Sequence, residues 1–195
     1  MNHLPVDFKV DRSNMSDTEW DLRVQLAAAY RLVDYFGWTE LIYGHLTARV
    51  PGPEPHFLIN PYGLNYDEIT ASNLVKIDVD GAVIDDTPFE INHAGFVIHS
   101  AIHMKHSEEN QVVMHTHTRE GMAVAGTKEG LLPISMFSTS FYKRLAYHEY
   151  EGPSLFLDER ERLLESLGDK KAMILKNHGP VSYTHLTLPT TGVVE

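Results

Sequence analysis

The chain has 195 residues, 43% of them apolar, and a formal charge of -11 from 27 acidic and 16 basic side chains. That size fits a single domain of about 100–200 residues with a genuine hydrophobic core. The acidity, with no basic run longer than Lys143-Arg144, argues against nucleic acid or an anionic membrane surface as partner. No cysteine is present, which excludes disulfides, thiolate metal sites and a cysteine nucleophile. Residues 1–14 lack the apolar run of a signal peptide. No stretch reaches the ~18 apolar residues that cross a bilayer. These features fit a cytoplasmic protein. The unusual count is twelve histidines. Without thiolates, a transition-metal site here must use imidazole and carboxylate.

Residues 1–15 read as an N-terminal arm. Ser16-Asp17-Thr18-Glu19 has the spacing of a capping box, with Met15 and Trp20 placed for a hydrophobic staple. The helix that follows carries Leu26, Ala27, Tyr30 and Val33 on one face and stops at Gly37. Tyr43–Val50 and Phe57–Asn60 flank Pro51-Gly52-Pro53 and read as a hairpin. Val75, Ile77 and Val79 alternate with polar residues up to an Asp80-Gly81 turn, after which Ala82–Ile84 returns. A helix is predicted over 92–106, a buried strand over 112–117, a short helix after Thr118, an amphipathic helix over 158–167 closed by Gly168, and a strand over 172–175. Irregular alternation with hairpins predicts an α/β domain over 16–180 with a mixed, mostly antiparallel sheet. Residues 181–195 show no helical period, resemble a translated sequencing adapter and are expected to be a foreign or disordered tail. On that expectation His185 is no ligand and the natural C-terminal part is missing.

The strongest local signal for chemistry is His115-Thr116-His117 after an apolar run. Residues i and i+2 of a strand share a face, so the two imidazoles can grip one ion. A working site needs a third ligand and an open position; His178, before Gly179, is the candidate. His99 and His103 are four apart on the predicted helix, and His106 follows. They read as a polar helix face, with His99 behind the site. Gly44-His45 and Asn60-Pro61-Tyr62-Gly63 read either as tight turns or as ligand loops.

Together these segments resemble the class II aldolase/adducin family: Tyr43 to Thr47, Phe57 to Gly63, Asn92 to His103, Val112 to Met122 and Ile174 to Pro180. The resemblance implies a three-layer α/β/α fold. It implies a divalent ion, Zn2+ first with Mn2+ or Fe2+ as alternatives, on His115, His117 and His178. It implies substrate contacts at Gly44, His45, Tyr62 and Gly63, a small hydroxy-carbonyl substrate, and a homo-oligomer, tetrameric in the family. Two departures stand out. The family's acid/base glutamate is replaced by Gly95, and a tyrosine contributed across a subunit boundary is matched by Phe137. His93 and Glu120 are then the candidate substitutes for the acid/base. The second reading is an adducin-like binding or assembly domain, since in eukaryotic adducins a related domain is a non-catalytic head.

Overall fold

The computed structural model of the chain describes residues 8–105, 111–154 and 156–184. Helix α1 (Asp17–Tyr35) starts where the Ser16 hydroxyl accepts the Glu19 amide N–H at 3.1 Å. The other half of the expected capping box is not made. Glu19 instead accepts from Arg23 and Lys76, because a buried guanidinium outcompetes a backbone amide for a carboxylate. Gly37 ends the helix in the left-handed region at φ 67.

Seven strands form one mixed sheet among the described residues, in the order β3-β2-β1-β4-β7-β6-β5. They are β1 (His45–Arg49), β2 (Phe57–Ile59), β3 (Val75–Ile77), β4 (Val112–His115), β5 (Leu145–His148), β6 (Ala172–Leu175) and β7 (Gly179–Thr184). β5 and β6 run parallel and the other neighbours antiparallel. The expected β1–β2 hairpin is present, whereas the return after Asp80-Gly81 is reduced to one bridge, Ile77 to Val83. The remaining helices are α2 (His93–Lys105), α3 (Arg119–Ala125), α4 (Met136–Thr139) and α5 (Glu159–Leu167), with a 3-10 turn at Tyr66–Glu68.

The boundary expected at Pro180 falls inside β7 and needs correction. This strand lies in the middle of the sheet, between β4 and β6. Val181 and Tyr183 are buried while Ser182 and Thr184 are exposed, the period-two pattern of a strand. Residues 181–184 therefore belong to the domain. His185, like His106, lies outside the described residues.

Alternation also sorts the layers. The Thr47 hydroxyl reaches α2, while its neighbour Leu46 lies under Tyr30 of α1, whose hydroxyl bonds the Leu46 backbone. α1 thus covers one face and α2, packed on α5, the other. A three-layer α/β/α arrangement results.

The first layer is pinned by charge. Arg23 is wholly buried and donates to Glu19, to Asp85 at 2.6 Å and to the Leu74 carbonyl. Lys76 of β3 shares the same two carboxylates. Removing one member of such a network strands the others without compensation. Arg23→Ala is expected to lower stability by about 3–5 kcal/mol, read as a shift of the urea midpoint. A change below about 1 kcal/mol would mean that the cluster is hydrated.

Candidate metal centre

β4 sits at the centre of the sheet and ends at His115, which is 1% exposed. His117 follows two residues later on the same side. His178 comes from the turn joining β6 to β7, where Asn177 adopts a left-handed φ of 56 and donates its N–H to the Ala125 carbonyl. Asparagine tolerates that region better than most residues. Gly179 then lets β7 start hard against the His115–His117 segment: a Cβ there would stand 2.8 Å from the Thr116 carbonyl oxygen.

Ligand nitrogens of His115, His117 and His178 all lie within 4.8 Å of one another, a grouping able to hold a metal ion. His115 Nε2 is 3.0 Å from His117 Nε2 and 3.2 Å from His178 Nε2. Three imidazoles on one tetrahedral ion at 2.0–2.1 Å would stand about 3.3 Å apart. The outer nitrogens explain the aim. His115 Nδ1 faces the Pro180 carbonyl at 3.0 Å, and His117 Nδ1 faces a Glu40 carboxylate oxygen at 2.6 Å. Both partners only accept, so both Nδ1 atoms carry the proton and both Nε2 atoms present lone pairs. Lone pairs 3.0 Å apart cannot bond each other; a cation between them satisfies both. The donor set therefore fits a divalent ion.

Burial keeps His115 and His178 neutral. Burial, reinforced by the neighbouring histidines His45, His178 and His117, holds His115 well below the usual imidazole range. Burial and His117 push His178 down to about 4, against a partial opposing pull from Glu40. Neutral imidazole is the ligating form.

Behind the triad runs a chain of buried polar groups. His45 lies directly opposite His115 across β1 and β4, with the rings 5.0 Å apart. His45 Nδ1 meets His99 Nε2 at 2.9 Å, His99 Nδ1 meets the Thr47 hydroxyl at 2.7 Å, and the same hydroxyl meets His103 Nε2 at 2.7 Å. His99 and His103 are fully buried. The expectation of a polar helix face is thus corrected: this face of α2 turns inward, its imidazoles satisfied by one another and by Thr47. Gly95 is tied to the same chain. A Cβ at position 95 would lie 2.6 Å from the His45 ring, so the ring fills the space a side chain there would need.

The other predicted positions scatter. Gly44 takes φ 82, and a Cβ on it would meet the Tyr66 hydroxyl at 2.5 Å and the His115 carbonyl at 3.1 Å; its glycine is required for close packing beside the triad. Tyr62 is half-exposed and Gly63 turns the chain at φ 93. His93 opens α2, exposed, with its ring beside Phe96. Glu120 is exposed on α3. It lines a cavity of about 340 Å³ over β6 and β7 that none of His115, His117 and His178 lines. Phe137 is 77% exposed on α4. Sequence reasoning missed Glu40, which lies 77 positions from the histidine it orients.

The family model described as class II aldolase and adducin N-terminal domain matches residues 24–185. The chain belongs to this family. It is 57% identical to a solved aldolase II superfamily protein from Pseudomonas syringae, covering 89% of this chain and 70% of that one with a TM-score of 0.85. Against an L-fuculose 1-phosphate aldolase from Glaciozyma antarctica the identity is 31%, over 94% of this chain and 68% of that one, with a TM-score of 0.74. Rat alpha-adducin is 48% identical over 166 residues, which is 83% of this chain and 22% of alpha-adducin. The chain spans about two thirds of the length of the curated bacterial relatives it matches. No helix among the described residues is long and apolar enough to cross a membrane.

The buried imidazoles fix a pH dependence for metal-free protein. Histidine in an unfolded chain titrates near 6.5. In the fold, burial holds His45, His99 and His115 well below that value, and His178 at about 4. The unfolded state therefore holds more protons below pH 6.5, and stability falls as pH drops from about 6.5 toward 4. Urea midpoints of chelator-treated protein should decline across that window; a flat profile would show that the imidazoles are solvated.

Proposed function

We propose that this class II aldolase-family domain is a divalent-metal-dependent lyase or epimerase-like enzyme acting on a small hydroxy-carbonyl compound. The observation that carries the reading is the convergence of three Nε2 atoms, two of them held as lone pairs by Nδ1 partners that can only accept. His115, His117 and His178 would hold the ion, with zinc the best match to an all-imidazole set and Mn2+ or Fe2+ as alternatives. Glu40 and the Pro180 carbonyl orient the ligands. A bound ion would supply Lewis acidity toward a substrate carbonyl. Tyr43, whose ring stacks on His117 with centroids 6.3 Å apart, flanks the site and limits its approach. The solved fuculose-phosphate aldolase relative supports the lyase class. We further propose self-association: Ile134, Met136 and Phe137 are 84%, 78% and 77% exposed, an apolar patch that favours a covered face.

The 48% identity to rat alpha-adducin, against 31% to the fuculose-phosphate aldolase, keeps a second reading, a binding or assembly domain that retains the metal-site scaffold. One experiment separates the two. Protein purified without added metal is expected to contain close to one equivalent of Zn2+, Mn2+ or Fe2+ by elemental analysis, and His115→Ala/His117→Ala to contain none. Glu40→Gln should weaken metal affinity by about 10–100-fold. Metal-loaded protein is expected to cleave or epimerise members of a panel of small ketoses and ketose phosphates, in a chelator-sensitive way. Stoichiometric metal with no turnover across the panel supports the binding domain; absent metal, or metal retained by the double variant, overturns the centre itself.

A further inference from the structure

The chain of buried groups behind the triad is a second device, not accounted for by metal binding. His45 is 3% exposed, yet among the described residues its Nε2 makes no hydrogen bond, while its Nδ1 is committed to His99. That free nitrogen belongs to a ring 5.0 Å from the ring of a proposed metal ligand. Holding a ring there has required a glycine at position 95, since even a methyl group would collide with it. Three further buried groups are then spent on its far side. A purely structural histidine needs none of this, and an apolar side chain would fill the space without desolvating four polar groups.

We infer that His45 is the residue that exchanges a proton with the substrate, and that His99, Thr47 and His103 form a relay carrying that proton away from the metal. This rests on the lyase reading above. In the arrangement that makes His45 a base and leads outward, His45 Nδ1–H donates to His99 Nε2, His99 Nδ1–H to the Thr47 hydroxyl, and the Thr47 O–H to His103 Nε2. His45 Nε2 is left as a lone pair. In the forward step the C–H bond next to the substrate carbonyl breaks. Its electron pair moves into the new C=C bond as the carbonyl becomes an enediolate, and the proton joins His45 Nε2. Each donor along the chain passes its proton one place on, so His103 ends as the imidazolium. Reversal returns the proton to carbon. Moving positive charge away from a divalent cation is favourable, because two like charges at ring-contact distance repel. At the far end the His103 ring lies 4.9 Å from the Phe57 ring, an aromatic neighbour that tolerates a cation.

Two measurements test this. In metal-free protein carrying 15N-histidine, long-range 1H–15N NMR is expected to find His45 and His99 each in the single Nδ1–H form, and Thr47→Val to turn both into tautomer mixtures. Mixtures in the native protein, or populations unchanged by Thr47→Val, overturn the relay. In metal-loaded protein the probe is dihydroxyacetone in D2O, with C–H to C–D exchange followed by proton NMR. His45→Asn is expected to slow exchange by at least about 100-fold at unchanged metal content. Gly95→Ala, which substitutes no member of the chain but displaces the His45 ring, should also slow it. The double variant His45→Ala/Gly95→Glu, which puts a carboxylate into the vacated space, should recover part of the rate. Exchange that persists in a metal-loaded, folded His45→Asn overturns this inference alone. A native protein that binds metal but exchanges no deuterium overturns the lyase reading and this inference with it.

Discussion

Nitrogen lone pairs that face one another at 3.0 Å repel unless a cation lies between them, and this constraint organises the middle of the molecule. The Nδ1 protons of His115 and His117 are drawn outward by a carbonyl and a carboxylate. The Nε2 atoms are thereby left pointing at one another and at His178. The fold supplies the rigidity. His115 ends the central strand of a seven-stranded sheet, with β1 and β7 bonded to either side. His178 is set by a turn whose neighbouring residues must include a left-handed asparagine and a glycine.

The same strand pairing links the triad to the interior. Because His45 is the cross-strand partner of His115, their rings share a face of the sheet, and Thr47, two residues on, shares it too. α2 lies on that face and adds His99 and His103 one turn apart. A triad histidine, its cross-strand neighbour and a helix thus form one continuous line of polar groups through an otherwise apolar core. Gly95 is read differently once this is seen. Taken alone, the missing acidic side chain looks like lost chemistry. In the structure it is the space into which an imidazole fits.

Much of this was legible in the residues, and the misses have physical causes. His115 and His117 could be paired from the two-residue period of a strand, and the apolar run before them marked a buried support. His178 needed the family resemblance, because a histidine before Gly-Pro has no periodicity to place it. Glu40 carried no sequence signal, being brought to His117 by tertiary folding across 77 positions. The relay was half visible: His99 and His103 have helical spacing, but spacing alone does not tell an inward polar face from a solvated one. Thr47 was findable from its position two residues after His45. β7 was missed because a threonine-rich, foreign-looking segment hid the alternation of Val181 and Tyr183 with Ser182 and Thr184.

In the proposed centre the three histidines hold one ion directly. X-ray absorption at the metal edge, on protein purified without added metal, tests it most directly. A first shell of three imidazole nitrogens at about 2.0–2.1 Å with one exchangeable oxygen ligand is expected. A shell of oxygens alone, or a spectrum unchanged by His115→Ala/His117→Ala, would contradict it.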